Sequence, residues 1–411
     1  MAPKGFYEDS IIDEVRSKTD IVSLVSEYVK LRKAGRSYVG LCPFHEEKTP
    51  SFNVDPDKQF FYCFGCGTGG NVFTFLMKRD GLSFPEALRV LADRAGVRLP
   101  LSSGRAGDDK ARKEADRLRE VLLFAHTRYR EQLQSRRGEA ARAYLARRGL
   151  SPETIDNFQL GLAPDEWEFM ATVAKRSGVN QSDLEKAGVL VARSDGRFYD
   201  RFRNRIMFPI WNSSGVLIGF GGRALGDDPA KYLNSPETPL FRKGKELYAL
   251  NLAKPNIRAK DRVCLVEGYM DVVSCFQHGI DFAVAGMGTA LTREQARALL
   301  LLTQNVYLVY DQDQAGKRAA RRSIDVFRDL GGKSSVVTLD GAKDPDDFFR
   351  VKTQAEFNER LDAALLDVAF IYEEARRSVD PSSIEGKIRI QEVMVPHPCV
   401  FDKRVRAFFI C

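Results

Sequence analysis

The chain has 411 residues, is 44% hydrophobic and 29% charged, and carries a formal net charge of +7 at pH 7. That length fits two to four domains, and the apolar content supports packed cores. No long uncharged apolar stretch argues for a membrane span, Met1–Asp9 lacks a signal-peptide core, and seven unevenly placed cysteines argue against a disulfide framework. The default is therefore a cytoplasmic protein whose mildly basic balance suits a polyanionic partner.

Two short helices open the chain, near Ile11–Val15 and Ile21–Val29, with Ser10 and Asp20 as N-caps. Cys42-Pro43-Phe44-His45 follows, then a gap of 17 residues, then Cys63-Phe64-Gly65-Cys66. Each pair can wrap one side of a tetrahedral Zn²⁺, so Cys42, His45, Cys63 and Cys66 are the expected ligands of one structural zinc. Three buried cysteines and a stray histidine would be the plainer explanation, but paired spacings of this kind are specific. Between the pairs, Ser51–Val54 and Gln59–Tyr62 alternate like hairpin strands, completing a zinc ribbon. Lys30, Arg32, Lys33, Arg36, Lys48 and Lys58 stand among Phe44, Phe52, Phe60, Phe61, Tyr62 and Phe64. Cations beside aromatics suit single-stranded nucleic acid, although at least half of these rings are expected in the small core. Asn71 opens another helix, and Ser83-Phe84-Pro85-Glu86 gives a capping-box start for the next, which Gly96 ends.

Ser102–Asp116 is small, polar and charged and predicts a hinge. A basic helical pair near Leu118–Leu133 and Glu139–Arg148 closes at Gly149, and Ser151-Pro152-Glu153 starts the next helix. Arg201, Arg203 and Arg205 alternate, so in an extended segment all three share one face. Ile206–Trp211 and Val216–Phe220 flank Asn212-Ser213-Ser214-Gly215 as a hairpin. Gly221-Gly222-Arg223, Lys231–Thr238 and Phe241–Lys245 then form a cationic, Gly-rich run suited to gripping phosphates.

Val263–Val266 and Val306–Tyr310 are short apolar runs that predict buried strands. Between them lie a turn-rich Ala285–Thr289 and a helical Thr292–Leu302, which makes a parallel α/β unit. Chemistry in such sheets sits beyond the carboxyl ends of the strands, where Glu267, Asp311 and Asp313 fall. Three acids at one place call for a hard cation, most often Mg²⁺ with substrate phosphates. Asp313 alone is better explained as a helix-capping acid.

Together these motifs resemble bacterial replicative primases of the DnaG type over essentially the whole chain. The Cys-His-Cys-Cys ribbon resembles their zinc-binding domain. Arg148-Gly149-Leu150, Arg203–Ile210, Gly219–Arg223 and Lys231–Thr238 match the amino half of the catalytic core. Val266–Asp271 with the Asp-x-Asp resembles the Toprim domain shared with topoisomerases, and Asp344-Pro345-Asp346-Asp347 a further acidic motif. The resemblance implies a multidomain α+β and α/β protein. Its parts are a zinc-binding domain over 1–100, a flexible linker over 101–117 and a basic amino-terminal subdomain over 118–259. A Toprim domain over 260–343 and a helical carboxyl-terminal part over 344–411 complete it.

By that likeness the activity is synthesis of short RNA primers on single-stranded DNA from ribonucleoside triphosphates, through an RNA–DNA hybrid product. Glu267, Asp311 and Asp313 would bind catalytic Mg²⁺ or Mn²⁺, with Asp344 and Asp346 among the metal-site acids and Asp271 in support. Lys231 and Lys243 would face nucleotide phosphates, and Arg148, Arg203, Arg205, Arg223 and Asn234 would line the nucleotide and template track. The likeness also implies a monomer at the replication fork with a replicative helicase as partner. Two departures stand out. Gln312 occupies the place of the Gly common between the two aspartates, which puts the local loop geometry in question. The chain also stops at Cys411, in a stretch that reads as helix at Arg404–Ile410, so the usual helicase-docking domain is expected to be missing. The rivals are a Toprim nuclease or topoisomerase, and a template-binding protein without catalysis.

Overall fold

Asp20 sets the start of the first packed helix, because its side chain accepts from the Ser23 N–H at 2.7 Å. This belongs to the first of two units into which the chain divides, 1–110 and 111–411. The computed structural model describes residues 9–45, 47–80, 82, 84–97, 106–288 and 290–394. In the first unit, helices α1 (Asp9–Lys18) and α2 (Ile21–Ser26) precede strands β1 (Arg32–Ala34), β2 (Ser37–Gly40), β3 (Phe52–Asp55), β4 (Phe60–Cys63) and β5 (Gly69–Gly70). The strands form one antiparallel sheet in sequence order. Ser10 lies inside α1 rather than capping it, a correction to its expected role. Helices α3 (Val72–Asp80) and α4 (Phe84–Ala95) follow, and the Asn71 side chain caps α3 through the N–H groups of Phe73 and Thr74. The expected cap of α4, Ser83, lies outside the described residues.

Alternation decides which rings of this unit enter the core. In β4, Phe61 and Cys63 point inward while Phe60 and Tyr62 stay exposed. Phe44, Phe52, Phe61 and Phe75 pack with ring centroids 5.2 to 6.4 Å apart. A core this small leaves a fold marginal without a metal or similar staple.

The boundary between the units falls within α5 (Ala106–Gln134), and α6 (Glu139–Arg147) and α7 (Pro152–Asn157, capped by Ser151) follow it. The predicted hinge is corrected here, since residues 106–116, eleven of its fifteen, form the first turns of α5. Ala, Lys, Arg and Glu are strong helix formers, and their charge made the stretch read as a linker. Next come β6 (Gly161–Ala163), α8 (Phe169–Arg176), α9 (Gln181–Lys186), β7 (Leu190–Ala192), β8 (Phe198–Asp200), β9 (Arg205–Trp211), β10 (Leu217–Ala224) and β11 (Tyr232–Asn234). Strands β11-β10-β9-β6 form an antiparallel sheet, and β7 and β8 a small hairpin. The arginine stretch is not extended. The strand breaks between Asp200 and Arg205, where Asn204 takes φ +49°, so the three guanidinium groups do not share a face.

The remainder is α10 (Leu250–Lys260), β12 (Val263–Val266), α11 (Tyr269–Gln277), β13 (Ala283–Ala285), α12 (Arg293–Leu300), β14 (Val306–Val309), α13 (Gln314–Asp329), β15 (Ser334–Val336), α14 (Pro345–Phe348), α15 (Gln354–Asp362), β16 (Leu365–Leu366), α16 (Asp367–Arg377) and α17 (Ile384–Met394). The sheet order is β13-β12-β14-β15-β16, parallel except for β16 at its edge. Two short strands were not anticipated: β13, which ends at Ala285 where the expected turn begins, and β16, which interrupts the expected helix over Gln354–Arg377. The expected end helix at Arg404–Ile410 lies outside the described residues. One hydrophobic core joins the two sheets, since Phe208 and Ile210 of β9 pack in the same cluster as β12 and β14. The acid-bearing loops are thereby mounted on a fully buried β12 and on a β14 buried except at the half-buried Tyr307.

Candidate active site and zinc site

Cys42, His45, Cys63 and Cys66 bring their ligand atoms within 4.8 Å of one another. Cys42 Sγ and Cys66 Sγ stand 3.9 Å apart, close to the edge of a tetrahedron with Zn–S bonds of about 2.3 Å. The His45 ring turns Nδ1 toward Cys63 Sγ at 3.8 Å and Nε2 toward Glu47 Oε2 at 3.3 Å. Glu47 also accepts from the Cys42 N–H at 2.8 Å and the Ser51 N–H at 3.0 Å, so one carboxylate orients two ligands. Gly65 is required, because a Cβ there would sit 2.6 Å from His45 Nε2. Burial works against ionisation of Cys63, yet the Ser51 hydroxyl and the Cys66 N–H bring its thiol down to about 7. The quartet fits one structural zinc with a closed shell, as its spacing predicted. Glu47 was not anticipated; an acid two residues after a ligating His was its only sequence signal.

The second group is built by topology. Strand β12 leads through α11 to β13 on one side, and the chain then crosses through α12 to β14 on the other. The loops leaving β12 and β14 therefore diverge, which opens the crevice where α/β sheets hold ligands. Glu267 directly follows the first strand, and Asp311 comes two residues after the end of the second. The Asp311 N–H donates to Glu267 Oε1 at 3.0 Å, which fixes the two loops together. Asp313 caps α13, its Oδ1 accepting from Ala315 and Gly316 at 2.8 Å each. Asp344 caps α14 through the Asp347 N–H at 2.7 Å. Asp271 is buried and accepts from the Gly268 N–H at 3.0 Å. Asp346 is 3% exposed, pairs with Arg148 and with Arg350 at 3.2 Å, and leaves Oδ1 without a hydrogen-bond partner.

Electrostatics states what this group lacks. Burial first, and Asp311 second, push the Glu267 carboxyl above the usual carboxylate range. Burial and then Asp344 do the same to Asp311. Burial, with Asp344, Asp311 and Asp346 behind it, pushes Asp271 well above. Lys343 Nζ, 3.9 Å from Asp311 Oδ2, and Lys231 offset this only in part. Among the described residues, the Cys/His quartet is the one group of three or more ligating side chains drawn to within 4.8 Å. The acids form a looser, under-compensated set, which is the donor chemistry of a Mg²⁺ site that keeps waters and substrate oxygens in its shell.

The predicted cationic residues divide. Lys231 is exposed and acts on Asp311. Arg148 is committed to Asp346 and to the Tyr144 hydroxyl at 3.2 Å. Arg223 is buried, with Tyr144 and Tyr232 rings 5.6 and 5.2 Å from its guanidinium carbon. Asn234 accepts from the Tyr269 hydroxyl at 2.7 Å and donates to the Met287 carbonyl at 2.9 Å, tying β11 to α11. Gly221 permits that approach, since a Cβ would meet the Tyr269 ring at 2.6 Å. Lys243 is half-buried in a loop bonded through its carbonyl to Gln295 at 3.0 Å. Arg205 is a correction: it is 3% exposed, with its guanidinium bonded to Asp228 at 2.6 Å and to the Ala230 carbonyl at 2.8 Å rather than turned toward a template. Arg203 covers the ring of Trp167 at 3.9 Å, and Trp167, unremarked in the sequence, is 60% exposed. Gln312 does not take a positive φ, so the left-handed backbone that a Gly would permit is not used.

Sheet order, switch point and paired acidic loops define a Toprim-type α/β domain, here carried on one chain with a zinc ribbon. Sequence families agree region by region: a CHC2 zinc finger over residues 7–106, the DNA primase catalytic core N-terminal domain over 128–254 and a Toprim-like domain over 264–349. A DNA primase of Halalkalibacterium halodurans is 45% identical over 341 residues, covering 82% of this chain and 57% of the relative. The crystal structure of the zinc-binding and RNA polymerase domains of Aquifex aeolicus primase aligns with TM-score 0.60 and 33% identity, covering 98% of this chain and 95% of that one. A DnaG primase catalytic domain bound to ssDNA aligns with TM-score 0.60 and 39% identity over 69% of this chain and 93% of that one. The chain belongs to the DnaG-type bacterial DNA primase family. It spans little more than half the length of the first curated relatives it matches.

Proposed function

We propose that this chain synthesises short RNA primers on single-stranded DNA from ribonucleoside triphosphates. The observation that carries this reading is the pairing of Glu267 and Asp311 at the switch point, joined at 3.0 Å, with burial first and neighbouring acids second (Asp311 for Glu267, Asp344 for Asp311) pushing both carboxyls up. Glu267, Asp311 and Asp313 would hold Mg²⁺ or Mn²⁺, with Asp271, Asp344 and Asp346 in support. When bound, the cations polarise the reacting phosphate and stabilise the attacking and leaving oxygens. The chain's own groups do the rest. Lys231 and Lys343 neutralise triphosphate oxygens and hold them in line beside Asp311, and Lys243 adds charge nearby. Arg148 holds Asp346 in place through their ion pair. Arg203, stacked on Trp167, offers a cationic and aromatic face to the template, in keeping with the ssDNA-bound relative.

The same reading divides the work as a zinc ribbon over 1–100, a nucleotide and template subdomain over 118–259 that α5 leads into, a Toprim centre over 260–343 and a carboxyl-terminal part from 344 onward. It places the protein in the bacterial cytoplasm at the replication fork, as a monomer working beside a replicative helicase. The test is labelled-ribonucleotide incorporation on single-stranded DNA with Mg²⁺ or Mn²⁺. Asp311→Ala should abolish product without lowering the melting temperature; an active variant would overturn the metal assignment. Cleavage of DNA without synthesis would mark a nuclease instead.

A further inference from the structure

The residue between the two aspartates does work that a glycine could not. Gln312 Nε2 donates to the Tyr310 carbonyl at 2.7 Å, at the end of the strand that delivers Asp311. Its Oε1 accepts from the Leu339 N–H at 3.2 Å, and its own N–H donates to the Lys343 carbonyl at 2.9 Å. One side-chain amide thus bridges the Asp311 loop and the loop beginning at Leu339. That second loop delivers Lys343, 3.9 Å from Asp311 Oδ2, and then Asp344, the cap of α14. It is tied at its far end as well, where the Lys343 N–H donates to Asp347 Oδ2 at 3.2 Å.

The bridge joins two loops that repel each other. Asp311 and Asp344 are like charges on opposite sides of it, and before a cation arrives they favour separation. A glycine would keep the backbone bond to Lys343 but lose both side-chain bonds. We infer that Gln312 is a positioning residue. It clamps the Lys343–Asp344 loop against the Asp311 loop, and so raises the affinity of the acidic site for a divalent cation. This rests on the proposed reading that these acids hold such a cation. The mechanism is that of a partner behind the ligands, whose loss is felt as metal affinity.

The experiment is Mn²⁺ binding to the full, zinc-loaded chain, read from the paramagnetic resonance signal of free Mn²⁺. Q312G, Q312A and the near-isosteric Q312M are compared with Asp311→Asn. The three Gln312 variants should bind Mn²⁺ about tenfold more weakly, with incorporation at saturating Mn²⁺ kept within about twofold. A merely structural role would lower the melting temperature and leave the Mn²⁺ affinity of the folded protein unchanged, and that result overturns the inference. If Asp311→Asn also binds Mn²⁺ like the parent chain, the acidic-site reading fails, and the inference with it. Should one variant unfold, the other two carry the same expectation.

Discussion

The two metal-ligating groups of this chain are built in opposite ways. In the ribbon, four soft ligands close on one point from two tight turns, with Glu47 holding the histidine from behind. In the Toprim domain, hard carboxylates stand at the ends of two strands already rigid inside a large core, and they repel one another. The first group has too little core around it to do without its metal. The second has ample core and is strained by its own charge. The metal is therefore part of the fold in one case and part of the chemistry in the other.

Breaking the first group should have the largest effect. Cys63→Ser should release zinc and unfold the ribbon, since structural zinc contributes about 10–16 kcal/mol of apparent binding energy in small modules. Zinc content and hydrogen exchange check this. Residues of the second unit should keep their protection, and retention of stoichiometric zinc would contradict the assignment. Glu47→Gln is milder and should weaken zinc binding by about 10–100-fold, read by competition with a chelator.

The second group should respond with the opposite sign. Asp311→Asn removes charge from a repelling set, so the metal-free protein should melt roughly 2 °C higher, while stabilisation by added Mg²⁺ is lost. The pH dependence follows from the direction of the shifts. Because the Glu267 and Asp311 carboxyls sit above their ordinary values in the fold, they favour folding at low pH, and that advantage disappears as pH rises through their raised pKa values. Cation binding needs the ionised forms and should weaken as pH falls through the same range. A metal-free melting curve flat from acid to neutral pH would contradict this. The smallest effect concerns the template face. Arg203→Ala should reduce the salt slope of single-stranded DNA binding by about one and leave zinc content and melting unchanged.

Much of both groups is legible in the sequence. Paired Cys and His spacings survive translation into geometry because a tight turn permits few arrangements. Apolar runs ending in an acid mark buried parallel strands, so Glu267 and Asp311 stand out together. What stays hidden depends on partners distant in sequence. Arg205 resembles a template contact because its partner, Asp228, lies across a strand pair. The two residues of β16 exist only because β15 offers an edge to pair with. Helical propensity at the start of α5 is masked by the charge that makes it look like a linker. Trp167 carries no pattern at all until Arg203 folds over it.

The central claim is that the carboxylates at the switch point are a working centre for ribonucleotide transfer. The most direct measurement is incorporation of labelled ribonucleotides on single-stranded DNA with Mg²⁺ or Mn²⁺, run beside Glu267→Gln. The account expects short RNA products from the parent chain and none from the variant, with the two proteins melting within about 2 °C of each other. Equal product from both would contradict it.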